Sequence, residues 1–228
     1  IIIYIGLAYT YGSSSVSLDS INDGFEINNP ILLESGFKTG DKILSSNGNK
    51  LNTISELRKS IVSAKTYEIE RDGNILEISL PIDFLGKFSS IDNPTLFELR
   101  TPFIIQNVAE ESLNKDYDIQ QGDMIVSLNG KEIKYADQLI PLLEENANRT
   151  IEVELLRDSF KIQKTLNVNK DGKLGFMTGA TVKDMIDLGY LELTVNSYSM
   201  VESIGVGTNN FISFFGFYLE QFAAIFNP

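Results

Sequence analysis

Gly40-Asp41-Lys42-Ile43-Leu44-Ser45-Ser46-Asn47-Gly48 is written a second time as Gly122-Asp123-Met124-Ile125-Val126-Ser127-Leu128-Asn129-Gly130, 82 residues later (position 122 against position 40). The offset persists downstream, where Leu51, Leu57 and Ile61 answer to Ile133, Leu139 and Leu143. Arg71-Asp72 then answers to Arg157-Asp158 at an offset of 86, so the second copy carries a short insertion. A repeat of this size means that two similar small modules stand in tandem. Within the repeat, Gly permits the positive φ of a tight turn and Asp bonds neighbouring backbone N–H groups. No base or metal ligand accompanies either Asp, so the pairs read as scaffold rather than chemistry.

Composition bounds the function. The chain has 228 residues, 43% hydrophobic and 22% charged, which suits globular modules near the lower end of domain size. A net charge of −12 argues against nucleic-acid binding, which needs clustered Lys and Arg. There is no cysteine, which excludes disulfides, thiolate metal sites and cysteine nucleophiles. There is no histidine either, which removes the commonest general base and metal ligand. A Ser-His-Asp triad and an H-E-x-x-H zinc site are therefore both impossible within these residues.

In order, residues 1–12 are apolar and uncharged. They suit either a buried strand or the end of a membrane helix with Tyr at the interface. Residues 13–82 form the first module. Its signals are a Ser-rich lead, a strand at Phe25 to Ile27 and a helical turn from Ile31 to Ser35. The repeated turn-strand-turn follows, then a helix capped by Thr53 or Ser55, and two strands around Asp72-Gly73. Residues 83–100 read as a connector containing Asn93-Pro94. Residues 101–178 repeat the order, with a strand at Phe103 to Ile105, a short helix from Ala109 to Leu113 and a longer one from Asp137 to Glu145. Residues 179–228 lose charge and gain aromatics, and their periodicity predicts a helix from about Tyr198 to Phe226, interrupted at Gly205-Val206-Gly207. That helix either packs on the second module or lies at a membrane surface.

Strand, short helix, G-D-x-I-x-S-x-N-G, helix, strand, hairpin, strand resembles the bacterial PDZ domain in both copies. The resemblance implies an α+β fold of two tandem PDZ domains, small partly open β-barrels capped by helices, followed by an amphipathic, membrane-proximal helix. The order, with an apolar entry and an aromatic-rich exit ending in Asn227-Pro228, resembles the tandem PDZ region of RseP-type site-2 proteases, zinc metalloproteases of the bacterial inner membrane. In that family the pair lies on the periplasmic side. The resemblance implies membrane-spanning substrates of the anti-sigma-factor type or their peptide ends, contact with the membrane through the flanks, and zinc held elsewhere in the parent protein. The family's H-E-x-x-H motif has no counterpart here, and no Asp follows Asp187, so no catalytic residue carries over. The implied role is a size-exclusion filter over an active site; the alternative is a tandem PDZ adaptor with no protease activity.

A PDZ domain binds an extended peptide as an extra strand beside a helix. The candidate residues are Gly24, Phe25, Glu26 and Ile27 facing Ile54, Leu57 and Ile61 in the first module. In the second they are Phe103, Ile104 and Ile105, preceded by Pro102, facing Ala136, Leu139 and Leu143. Glu26 would repel an incoming carboxylate, and Pro102 has no N–H to offer one. Apolar helix stripes also serve as core, so packing is the competing reading of these positions.

Overall fold

Asn47-Gly48, Asp72-Gly73 and Asn129-Gly130 all take positive φ at both residues, as two-residue hairpins with the right-handed strand twist require. These turns lay out the chain. The computed structural model describes residues 1–90 and 95–226; Asn93-Pro94 and Asn227-Pro228 lie outside them.

The chain opens with α1 (Ile2–Tyr11) and β1 (Ser13–Val16). The first module runs β2 (Phe25–Glu26), α2 (Pro30–Glu34), β3 (Lys42–Ser46), β4 (Asn49–Lys50), α3 (Ile54–Ser60), β5 (Thr66–Arg71), β6 (Asn74–Ser79), α4 (Phe84–Ser89) and β7 (Glu98–Leu99). The second runs β8 (Ile105–Val108), β9 (Met124–Leu128), β10 (Lys131–Glu132), α5 (Ala136–Glu145), β11 (Thr150–Arg157), β12 (Phe160–Asn167) and β13 (Phe176–Thr178). Then come α6 (Val182–Asp187), β14 (Leu193–Asn196) and α7 (Met200–Phe226). The fold is α+β with several small antiparallel sheets. Four-stranded sheets run β4-β3-β5-β6 and β10-β9-β11-β12, and two-stranded ones pair β2 with β7, β8 with β13, and β1 with β14. Among the described residues no sheet closes into a barrel; the sequence reading expects small, partly open ones.

The repeated residues meet in space. Asp41 is fully buried and receives Arg71 through both carboxylate oxygens, at 2.7 Å from Nε and 2.7 Å from Nη2. Asp123, equally buried, receives Arg157 in the same way at 2.7 and 2.8 Å. Each Asp also accepts a backbone N–H three residues upstream, from Lys38 and from Gln120, both at 2.8 Å. The Gly-Asp turn and the distant Arg are thus two halves of one clamp that ties the turn before β3 or β9 to the end of β5 or β11.

The first core gathers Phe25, Leu32, Phe37, Leu57, Tyr67 and Ile69. It also includes Met185 and Leu191, which follow the second module in sequence. The second core is built from Ile105, Ile125, Leu139, Ile151, Val153, Leu155 and Leu166. The chain therefore leaves the first module, builds the second, and returns to complete the first. Arg100 locks the passage between them: it forms an ion pair with Asp137 at 2.7 Å and donates to the Asp23 backbone carbonyl at 3.2 Å. Asp23 in turn accepts from Tyr135 and Lys134, and these two hydrogen bonds, Lys134 first, hold its carboxyl below the usual range.

Two local expectations change. Residues 109–113 form consecutive turns rather than a helix; buried Asn114 takes their place as organiser, donating to Asn167 and Leu174 carbonyls at 2.8 and 3.0 Å. The C-terminal helix runs unbroken through Gly205 and Gly207 and, among the described residues, packs chiefly on α1 rather than on the second module. Gly207 sits at the contact between the two helices. A Cβ there would lie 2.5 Å from the Ile5 Cα, so the glycine is what lets the two helices touch. Tyr4 adds ring contacts to Phe211 and Phe214, and Ser13 Oγ bonds the Tyr198 hydroxyl at 2.7 Å.

Candidate functional site

A peptide can extend a sheet only at an edge whose N–H and C=O groups are unspent. β2 is not such an edge. Phe25 donates its N–H to Asp41 O at 3.0 Å and accepts from Gly40 N at 2.8 Å, while Ile27 N–H goes to Thr39 Oγ1 at 3.0 Å. On its other side β2 pairs with β7, Phe25 opposite Leu99 and Glu26 opposite Glu98. Gly24 backs directly on the Gly40-Asp41 turn. The segment 24–27 is therefore an interior strand, and the open edge of this sheet belongs to β7.

Pairing geometry says which groups that edge presents. In an antiparallel ladder, residues opposite one another either exchange both bonds or turn both pairs of groups away. Phe25 spends its groups on Gly40 and Asp41, so Leu99 turns its N–H and C=O outward. Across from that edge lies a groove of about 670 Å³, walled by α3 on one side and the strand on the other. Ile54, Leu57 and Ile61 line it, with Phe25 as part of its floor. Leu57 and Phe25 are 2% exposed, so they serve core and groove together; Ile54 and Ile61 are half-buried. Thr53 sets the start of α3, its Oγ1 accepting from Glu56 N at 3.2 Å.

The residues not anticipated are Phe88, Thr95, Leu96, Phe97, Glu98, Leu99 and Arg58. Phe97 is the anchor of the strand, meeting Phe25, Phe37 and Tyr67 edge-on with centroids 5.5 to 5.8 Å apart. The alternation Phe97-Glu98-Leu99 was the available signal, apolar in and polar out; it falls within residues 83–100, which the sequence reading treats as connector.

The second module repeats the geometry with less room. Ile105, not Phe103, takes the place of Phe25: it donates to Asp123 O and accepts from Gly122 N, both at 2.8 Å. Its outer partner is β13, with Ile105 opposite Thr178. Phe103, Ile104 and Ile105 are buried, and Leu139 and Leu143 turn into the core. Ala136 donates its N–H to Thr101 O at 2.8 Å, so the chain's own linker covers the start of α5. Asp118 at the rim of the clamp is held down to about 2 by hydrogen bonds from Gln120, Arg157 and Lys164. Among the described residues no group of three or more metal-ligating side chains comes together.

No family model matches the chain. Solved structures show weak, partial similarity to it, among them the following three. The PDZ domain of an SdrC-like protein of Listeria monocytogenes is 17% identical, over 37% of this chain and 90% of that one, with a TM-score of 0.30. The PDZ domain of an SdrC-like protein of Listeria innocua is 14% identical, over 36% and 97%, with a TM-score of 0.31. The second domain of a Listeria protein is 13% identical, over 42% and 85%, with a TM-score of 0.27.

Proposed function

We propose that this chain is a tandem PDZ-like peptide-binding module, and that its first module captures an extended segment by strand addition. The observation that carries this is the outward-facing backbone of Leu99 beside the apolar wall of α3. Main-chain bonds to an edge give affinity, and the alternate side chains of the guest give selectivity. The second module, whose helix face is spent on its own core, acts as a rigid neighbour held by Arg100 and Asp137.

Leu99→Pro tests the reading, because it deletes one outward N–H while leaving intact the bonds β2 makes with Gly40 and Asp41. Binding of fluorescein-labelled octapeptides alternating valine and threonine, followed by anisotropy, weakens at least about tenfold, the equivalent of about 1.4 kcal/mol for lost main-chain bonding. Unchanged affinity, with the fold intact by circular dichroism, removes β7 as the docking edge.

A second reading, the periplasmic filter of an RseP-type site-2 protease, draws on the paired flanks. The helices α1 and α7 stand together while Ile2, Ile3, Tyr11, Val201, Ile212 and Phe215 remain exposed, and close packing over Ala8, Ser203 and Gly207 suits helices that associate in lipid. Among the described residues no helix is long and apolar enough to cross a membrane. In this reading the pair touches the bilayer of a bacterial inner membrane, the partners are membrane-spanning substrates, and zinc belongs to a catalytic part with other residues. Flotation with phosphatidylcholine vesicles checks the membrane contact. The chain rises with the lipid, and a variant carrying Ile3→Ser, Leu7→Ser, Ile212→Ser and Phe215→Ser stays behind. Equal behaviour of the two proteins counts against it.

A further inference from the structure

We infer that the groove of the first module selects extended peptides bearing a carboxylate on the side that faces α3, where Arg58 receives it. The inference deepens the strand-addition reading and rests on it. Ile54, Arg58 and Ile61 stand at i, i+4 and i+7, so they share one face of α3, and all three line the groove. Arg58 is exposed and, among the described residues, enters no ion pair and no side-chain hydrogen bond. In a chain of net charge −12, this cation between two isoleucines on the wall of an open groove is uncommitted among the described residues. A guanidinium offers a planar fork that fits a carboxylate in two bonds.

The strand side sharpens the selection. Phe97 and Leu99 pack into the module and Glu98 alternates between them; its carboxylate accepts from Thr95 Oγ1, and both residues line the groove together with Arg58. Glu98 stands directly opposite Glu26, and this like-charged pair repels further negative charge beside it. An added strand alternates its side chains between the two faces of the sheet. A carboxylate is therefore favoured at one parity of the guest and disfavoured at the next. The same carboxylate chemistry comes from two sources, an acidic side chain or the free end of a chain.

The test uses the whole protein and three sets of valine–threonine octapeptides that carry an uncharged BODIPY label. One set is amidated and neutral, one has a free C-terminal carboxylate, and one is amidated with a single glutamate stepped along the peptide. The expected result is about tenfold tighter binding when glutamate occupies alternate positions, weaker binding at the positions between, and loss of that difference in Arg58→Ala. Arg58→Glu reverses the preference, and neutral peptides bind all three proteins alike. If only the free-end set gains affinity through Arg58, the carboxylate is terminal and the side-chain source is ruled out. If Arg58→Ala changes nothing while Leu99→Pro still weakens binding, the carboxylate selection fails and strand addition stands. Binding by none of the sets overturns both.

Discussion

Arg157→Ala destabilises the second module by about 3–5 kcal/mol, the usual cost of removing one partner from a buried ion pair. Asp123 is fully buried and gives one oxygen to Arg157 Nε at 2.7 Å and the other to Nη2 at 2.8 Å. Without the guanidinium, the one hydrogen bond left to its carboxylate among the described residues is the Gln120 N–H at 2.8 Å. A single hydrogen bond does not replace the lost charge partner. Against a total stability of about 5–15 kcal/mol, the change is visible as an early transition in urea. Arg157→Lys restores only part of the loss, since one ammonium cannot span both oxygens. Asp123→Asn combined with Arg157→Ala is milder than Arg157→Ala alone, because no charge is then stranded. A loss under about 1 kcal/mol for Arg157→Ala would show the pair to behave as a surface bridge.

The same pair fixes the response to acid. Burial raises the Asp123 carboxyl, but Arg157 and the Gln120 N–H outweigh it and leave the group below its ordinary value. A carboxyl depressed in the fold binds fewer protons folded than unfolded. Its contribution is therefore complete above the unfolded pKa of about 3.9 and fades as the pH falls towards the folded value. Thermal midpoints of the parent protein drop below about pH 4 more steeply than those of Asp123→Asn. Equal slopes would mean that another carboxylate dominates acid unfolding.

Much of this architecture is legible in the sequence because its signals are local. The Asn47-Gly48 and Asn129-Gly130 turns, the Thr53 cap and the helices carrying Leu57 and Leu139 fall where turn chemistry and helical spacing put them. The repeated Asp and Arg were visible as repeats; that they grip each other was not, since a spacing of thirty residues carries no geometry. β7 was hidden for a different reason: two residues make no period, and the strand exists because Phe97 finds three aromatic rings far away in sequence. Met185 and Leu191 joining the first core is likewise a long-range event with no local trace. Gly207 in α7 lies against Ile5, some two hundred residues earlier, so a residue that reads locally as a helix breaker is a contact requirement. The groove was half legible: its helical wall follows from periodicity, its strand wall from pairing alone.

Gly24→Ala shows how closely the groove leans on the repeated turn, and it costs the first module about 3 kcal/mol or more, adding left-handed strain to overpacking. Gly24 has φ +67, and an added Cβ would lie 2.2 Å from Gly40 O, 2.4 Å from Gly40 C and 2.5 Å from Asp41 O. All three are backbone atoms of a turn held by Arg71, so no side chain can swing aside. Relief requires β2 to move off the turn, which breaks the Phe25–Asp41 and Gly40–Phe25 bonds and carries β7 with it. Gly48→Ala is the control: it has φ +76 with nothing within 4 Å of the new carbon, so it bears the left-handed strain alone, about 1–2 kcal/mol. The difference between the two variants in urea midpoint isolates the backbone clash. Equal midpoints would mean that Gly24 is needed only for its φ, and that β2 and the turn can part without harm. In the second module the corresponding place is held by Ile104, whose φ is not positive and which bridges to Met124. The repeat thus conserves the clamp and not the approach to it, and the tight backing of β2 on its turn belongs to the module whose outer strand offers Leu99 to a guest.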